Sequence, residues 1–272
     1  MAKPVKLNLI GDKSSKRVIF AESNGHFVDI LLSFLTLPLG SILQLTKQSI
    51  GSMNNLLKSV ETIDSVCFSS EACRSMLLCP SNSASHLLSS LDDLLVSQSS
   101  VEFSIEQLSK LDVKQMSSLE SVSVDVIAEN IVELLKRLLV SDTPLTDVFL
   151  GVHKVKDKLQ VDIQQSLHAK CYETQAPTAS MRNISLKLYV NKDDDTAVIA
   201  EADKDFVDLL FGFLTYPIGA VISKLGGHSG FRCMDNIYNS VEALKPSNCF
   251  RNNELIGKLL NPKLPQFFKV KK

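Results

Sequence analysis

Two stretches of this 272-residue chain are copies of one another, and that repeat constrains the fold more than any other feature. Residues 7–46 align without a gap onto residues 186–225, and from Ala21 to Gly40 eleven of twenty positions are identical. The shared residues are Ala21, Glu22, Phe27, Val28, Asp29, Leu31, Phe34, Leu35, Thr36, Pro38 and Gly40, matched by Ala200, Glu201, Phe206, Val207, Asp208, Leu210, Phe213, Leu214, Thr215, Pro217 and Gly219. After a two-residue shift the run Met53 to Glu61 answers Met234 to Glu242. One more residue of shift pairs Cys67-Phe68 with Cys249-Phe250, and Leu77-Leu78-x-Pro80 with Leu259-Leu260-x-Pro262. Whatever one copy folds into, the other must fold into as well.

Each copy opens on a strand pair. Leu7 and Leu9 alternate with polar neighbours, Gly11 to Ser15 is turn-like, and Val18 to Ala21 is a second apolar run, which predicts a β-hairpin. Leu186 to Val190, a turn at Asn191 to Asp195, and Ala197 to Ala200 repeat it. Asn24 and Asp203 are suited to cap a following helix, and Phe27 to Leu35 is apolar nearly all round, as in a buried helix. The Thr36-x-Pro38-x-Gly40 string should then break or kink it. Downstream, Asp125 could cap an amphipathic helix with Ile127, Ile131, Leu134, Leu135, Leu138 and Leu139 on one face and Glu133 paired to Arg137. Strand pairs mixed with helices predict an α+β fold of two tandem related units, each a β-hairpin followed by buried helices, the second unit truncated. The expected units are residues 1–151, carrying a serine-rich stretch at 81–123, and residues 184–272, joined by a linker at 152–183. In the serine-rich stretch fourteen of forty-three positions are serine, which suits loops and caps over a packed core.

Composition narrows the function classes. Lys+Arg 29 against Asp+Glu 30, with no tryptophan, offers no basic stripe for nucleic acid. The runs around Lys154 to Lys158 and Lys269 to Lys272 read as solvated charge. The six cysteines are dispersed and the N-terminus has neither signal-peptide nor transit-peptide character, so reduced thiols in the cytoplasm or nucleus are expected. Phe27 to Leu45 approaches spanning length, yet Asp29, Pro38 and Gly40 make two buried helices joined at a kink the better reading than a membrane segment.

No catalytic residue or cofactor emerges. Cys67, Cys73 and Cys79 lack the short knuckle of a zinc site and read as buried thiols, so no metal is expected. The five histidines are scattered, and Gly226 to Gly230 fits neither a nucleophile elbow nor a phosphate loop, leaving a flexible interhelix turn. Asp29 and Asp208 stand at the same place in two apolar helices. Asp29 shares a face with Ser33 and Thr36, and Asp208 with Gly212 and Thr215. Together with Glu22 and Glu201 these carboxylates are the candidate ligand or partner residues.

The string Phe-Val-Asp-x-Leu-x-x-Phe-Leu-Thr-x-Pro-x-Gly, present twice and followed each time by Met-x-Asn-x-x-x-Ser-Val-Glu, resembles a plant family known as domain of unknown function six hundred and seventy-four. Ser70 to Leu78 and Leu145 to Gly151 are similar to further segments of that family, so the resemblance covers residues 5–80, about 105–151 and 184–272. It implies a plant origin and a tandem architecture, and no activity. The sequence therefore favours a non-catalytic interaction or scaffold module over an enzyme. A second unit without its latter half would expose apolar surface, so self-association or a protein partner is expected through residues 206–270. The alternatives are a small-ligand protein or enzyme with a site between the units, and a degenerate paralogue.

Overall fold

The computed structural model describes residues 5–80, 118–151, 186–191, 193, 196–244 and 253–262. The linker expected at 152–183, most of the serine-rich stretch, both lysine runs, Cys171 and Cys249 lie outside them.

Both predicted hairpins form. Strands β1 (Val5–Asp12) and β2 (Arg17–Ser23) pair antiparallel, with a bulge between Ile10 and Gly11. Strands β4 (Leu186–Val190) and β5 (Ala197–Ala202) pair in the equivalent register, and their bulge falls at the equivalent place, between Tyr189 and Val190. The first hairpin gains a third strand, β3 (Leu119–Val126), which lies antiparallel along β1 from Val5↔Val126 to Asp12↔Leu119. The sheet order is β2-β1-β3 in the first unit and β4-β5 in the second.

The helices also repeat. Asn24 accepts from the Phe27 amide (3.3 Å) and starts α1 (Gly25–Ser33); Asp203 accepts from the Phe206 amide (3.0 Å) and starts α7 (Lys204–Gly212). Each helix tightens into one 3-10 turn, Phe34–Thr36 or Phe213–Thr215. Pro38 then opens α2 (Leu39–Thr46), and Pro217 opens α8 (Ile218–Lys224). The proline lacks an amide, so it cannot continue the first helix but can begin the next. Helices α3 (Met53–Thr62) and α4 (Glu71–Leu78) answer α9 (Cys233–Ala243) and α10 (Asn253–Leu260).

The two kinks meet. Pro38 and Pro217 form an antiparallel bridge in which the Leu39 amide donates to the Tyr216 carbonyl and the Ile218 amide donates to the Leu37 carbonyl, both at 2.9 Å. A Cβ on Gly40 would come within 3.0 Å of the Leu214 carbonyl, and one on Gly219 within 2.8 Å of the Leu35 carbonyl. Every one of these partners is the repeat-equivalent of the other, so a pseudo-two-fold axis runs between the prolines. Around it each unit lends a helix to its neighbour: α4 packs on the turn Phe213–Thr215, and α10 packs on Phe34–Thr36. Leu35, Ile42, Leu214, Ile218 and Ile222 are fully buried at this junction.

The amphipathic helix is α5 (Ala128–Val140), with Leu134, Leu135, Leu138 and Leu139 buried and Arg137 paired to Glu133 at 2.7 Å. It packs on α2 of its own unit and α9 of the other. Its start departs from expectation. Asp125 belongs to β3, and Asn130 supplies the cap by accepting from the Ile127 amide (3.1 Å), which leaves Ile127 exposed. The tail of the serine-rich stretch, 119–123, is likewise strand, because backbone pairing to β1 tolerates small polar residues on an outer face. Helix α6 (Pro144–Phe149) closes the unit: Thr146 Oγ1 accepts from the Val18 amide (2.9 Å) on the edge of β2.

Candidate interaction surface

Equivalent hairpin residues have opposite surroundings. Leu7 and Leu9 are 0% and 1% exposed, whereas their counterparts Leu186 and Leu188 are 40% and 52% exposed. On β5, Val198 and Ile199 reach 67% and 59%. Among the described residues no third strand lies along β4 and no helix corresponds to α6.

The backbone direction at that open side follows from the turn. The Asn191 amide donates to the Thr196 carbonyl (2.8 Å), so the alternate residues Tyr189 and Lys187 turn their backbone groups to β5. Leu186, Leu188 and Val190 therefore present theirs to the outside, as Leu7, Leu9 and Gly11 do toward β3. The side chains divide the same way. Leu186, Leu188, Ala200 and Ala202 share one face; Lys187, Tyr189, Ile199 and Glu201 share the other. On that second face Glu201 accepts from the Tyr189 hydroxyl (3.1 Å) and meets Lys187 Nζ (3.5 Å), which lies 4.6 Å from the Tyr189 ring centre.

A second feature is a groove of about 350 Å³ between α1, α5, α6 and α9. Val28, Leu31, Leu134, Leu138, Leu145 and Ile237 supply its aliphatic walls, with Cys233 and Asn236 at one side. Burial pushes the Cys233 thiol pKa up, and the neighbouring Asp142 carboxylate pushes the same way. The exposed pair Arg232–Asp142 (3.4 Å) bridges the units at this end. Inside α6, the buried Asp147 accepts from Ser141 Oγ (2.5 Å) and Thr143 Oγ1 (3.3 Å), holding the loop that enters the helix.

The four sequence-predicted acids occupy different places. Asp29 and Asp208 are half-buried on α1 and α7, and Asp29 is not among the residues lining the groove. Thr36 and Thr215, on the same helical faces, are buried and donate to the Ser33 and Gly212 carbonyls at 2.7 Å, which stabilises each 3-10 turn. Glu22 is exposed opposite Asn8, and Glu201 joins the Lys187–Tyr189 cluster. Two expectations are corrected. Cys67 and Cys79 are exposed instead of buried, because the turn Ser65–Cys67 and the end of α4 face outward. The Gly226–Gly230 turn is pinned instead of loose: buried Asp235 accepts from the Ser229 and Gly230 amides (2.9 and 3.0 Å) and from the Ser229 hydroxyl, and Asn239 donates to the Gly227 carbonyl (3.1 Å). Asn54, the repeat-equivalent of Asp235, pins the corresponding first-unit turn by accepting from the Ile50 amide (2.6 Å). Among the described residues no group of three or more histidine, cysteine or carboxylate side chains could hold a metal ion, and no helix is long and apolar enough to cross a membrane.

The bare hairpin and the paired kinks were both invisible to motif reading. A signal for the kinks existed: a glycine kept at the same place in two apolar runs, where a self-complementary contact needs close backbone approach. The family described as protein of unknown function (DUF674) matches residues 1–91 and again residues 85–272. The chain belongs to the DUF674 family. The two DUF674 matches meet inside the serine-rich stretch and together take in both hairpins, in keeping with tandem units that each begin on a hairpin. The family description assigns DUF674 proteins no function, no curated protein matches this one, and no solved structure does.

Proposed function

We propose that this DUF674 protein is a non-catalytic protein-interaction module, working in the cytoplasm or nucleus of a plant cell, whose second unit provides the docking surface. The observation that carries the reading is the bare hairpin: residues buried in β1 have exposed equivalents in β4. Leu186 and Leu188 on one face of the hairpin, Ile199 on the other with Val198 at the bulge, and Leu209 and Phe213 of the same unit all face water, and exposed apolar surface of this kind marks an interface. The unit limits 1–151 and 184–272, with a linker at 152–183, belong to the same proposal, as does the wider contact region 206–270.

The test compares the wild-type chain with a Val198→Lys/Ile199→Lys chain as paired baits in an extract, read by quantitative mass spectrometry. The reading expects at least one protein, another copy of the chain included, to be recovered by the wild type and lost with the variant at unchanged thermal stability. Identical recoveries would overturn it. The groove between α1, α5, α6 and α9 supports a second reading, a small-ligand site between the units, and its aliphatic walls favour an apolar ligand over one recognised by Asp29 or Asp208. A fatty-acid series that leaves the melting temperature unmoved would count against it.

A further inference from the structure

We infer that the occupant of the bare hairpin edge is a second copy of the chain, joined by antiparallel pairing of β4 with β4; this rests on the interaction reading above. An edge strand offering unpaired amides and carbonyls is a template for another strand. In the first unit the equivalent edge is covered along all of β1 by β3, so the backbone geometry of this edge is one that accepts a strand. A second copy cannot lend β3, because its β3 is already paired to its own β1. It can lend β4, whose Leu186, Leu188 and Val190 face outward by the argument from the Asn191–Thr196 hydrogen bond.

The side chains select the register. A two-fold axis at Leu188 sets Leu188 against Leu188 of the second copy and Leu186 against its Val190. All three outward-facing residues then pair with outward-facing residues, as a hydrogen-bonded antiparallel ladder requires. The apolar faces join into one strip. On the other face Lys187 falls opposite Tyr189 of the second copy, extending the cation–ring contact that each chain already makes at 4.6 Å. An axis one residue earlier, at Lys187, would bring two ammonium groups face to face, and one residue later, at Tyr189, would leave fewer outward residues paired. The interface is isologous and closes as a dimer, with a four-stranded sheet β5-β4-β4-β5 across it.

The experiment is sedimentation of the full chain across a concentration series, with hydrogen exchange measured at both ends of that series. The expected result is a monomer–dimer equilibrium in which the amides of Leu186, Leu188 and Val190 gain protection with concentration while those of Lys187 and Tyr189 stay as they are. Leu188→Pro, which removes an outward amide and spares the β5 side, should raise the dimer dissociation constant about tenfold or more. Circular dichroism checks its fold, and the wild-type exchange pattern tests the proposal without any variant. A chain monomeric throughout, a dimer whose three outward amides exchange freely, or a dimer indifferent to a well-folded Leu188→Pro chain would each overturn the inference. If the chain is monomeric yet the Val198→Lys/Ile199→Lys bait still loses a foreign protein, the interaction reading survives and only the identity of the occupant falls.

Discussion

The hairpins β1–β2 and β4–β5 share pairing register, bulge position and the helix that follows, and differ in what covers them. Leu9 sits in the core and Leu188 in water. Hairpin formation is thus local, decided by alternation and turn residues, while burial is decided by distant segments: β3 lies along β1, and α6 reaches back to β2 through Thr146. The pseudo-two-fold junction shows the reverse case. There the two copies have the same surroundings, because each is the other's surroundings.

The sharpest way to break this comparison is to truncate both leucines. Leu9→Ala should destabilise by about 2–5 kcal/mol in denaturant unfolding, the usual range for a buried leucine. Leu188→Ala, assayed at low protein concentration, should stay within about 0.5 kcal/mol. Equal losses would show that the second hairpin is packed in solution.

Next in size is the junction. Gly219→Ala drives a methyl against the Leu35 and Leu259 carbonyls, at 2.8 and 3.0 Å, and should cost about 1–3 kcal/mol; Gly40→Ala, slightly roomier, should cost less. Gly212→Ala, with nothing near its Cβ, should instead stabilise by up to about 1 kcal/mol through helix propensity. If Gly40 and Gly219 variants melt like wild type, the kinks are not in contact. Thr146→Val, which orphans the buried Val18 amide, should cost about 1–3 kcal/mol and accelerate exchange in β2 with no effect on β5.

Among the four thiols of the described residues, exposed Cys67 and Cys79 should alkylate first at neutral pH, and Cys233 last, since burial keeps it protonated. Mass-spectrometric mapping decides the order. The smallest effect is at the hairpin turns. Asp12 accepts from the Ser14 hydroxyl (2.6 Å) and from the Ser14 and Ser15 amides, which holds its carboxyl well below the usual carboxylate range. A depressed native pKa stabilises above the unfolded value of about 3.9 and is lost as pH falls through the native one. The equivalent Asn191, which accepts from the Asp193 amide, does not titrate. Amide shifts of Ser14 and Ser15 should therefore move in strong acid in the wild type and hold in an Asp12→Asn chain, which carries the Asn191 arrangement; movement in both would refute the Asp12 assignment.

Much of the fold was legible from residue order. Hairpin, N-cap, kink and second helix follow from alternation, from Asn24 and Asp203, and from prolines that cannot donate an amide, and these effects act within a few residues. The start of α5 was misplaced because pairing to β1 drew Asp125 into a strand, and the Ile127 amide is capped from within the helix by Asn130. The candidate acids were visible as a pattern but not as a site, since a repeat marks equivalent positions and says nothing of distance between them.

By itself, then, the sequence determined that one unit occurs twice, what secondary structure it takes and where its chain must bend. Only the tertiary structure decided that the two bends clasp each other, that α5 spans both units, and that β1 is covered where β4 is not. The physical reason is range: turn chemistry, capping and periodicity are energies of neighbouring residues. Burial of Leu7 or exposure of Leu186 depends on β3, more than a hundred residues from β1, pairing with one edge and leaving its equivalent open.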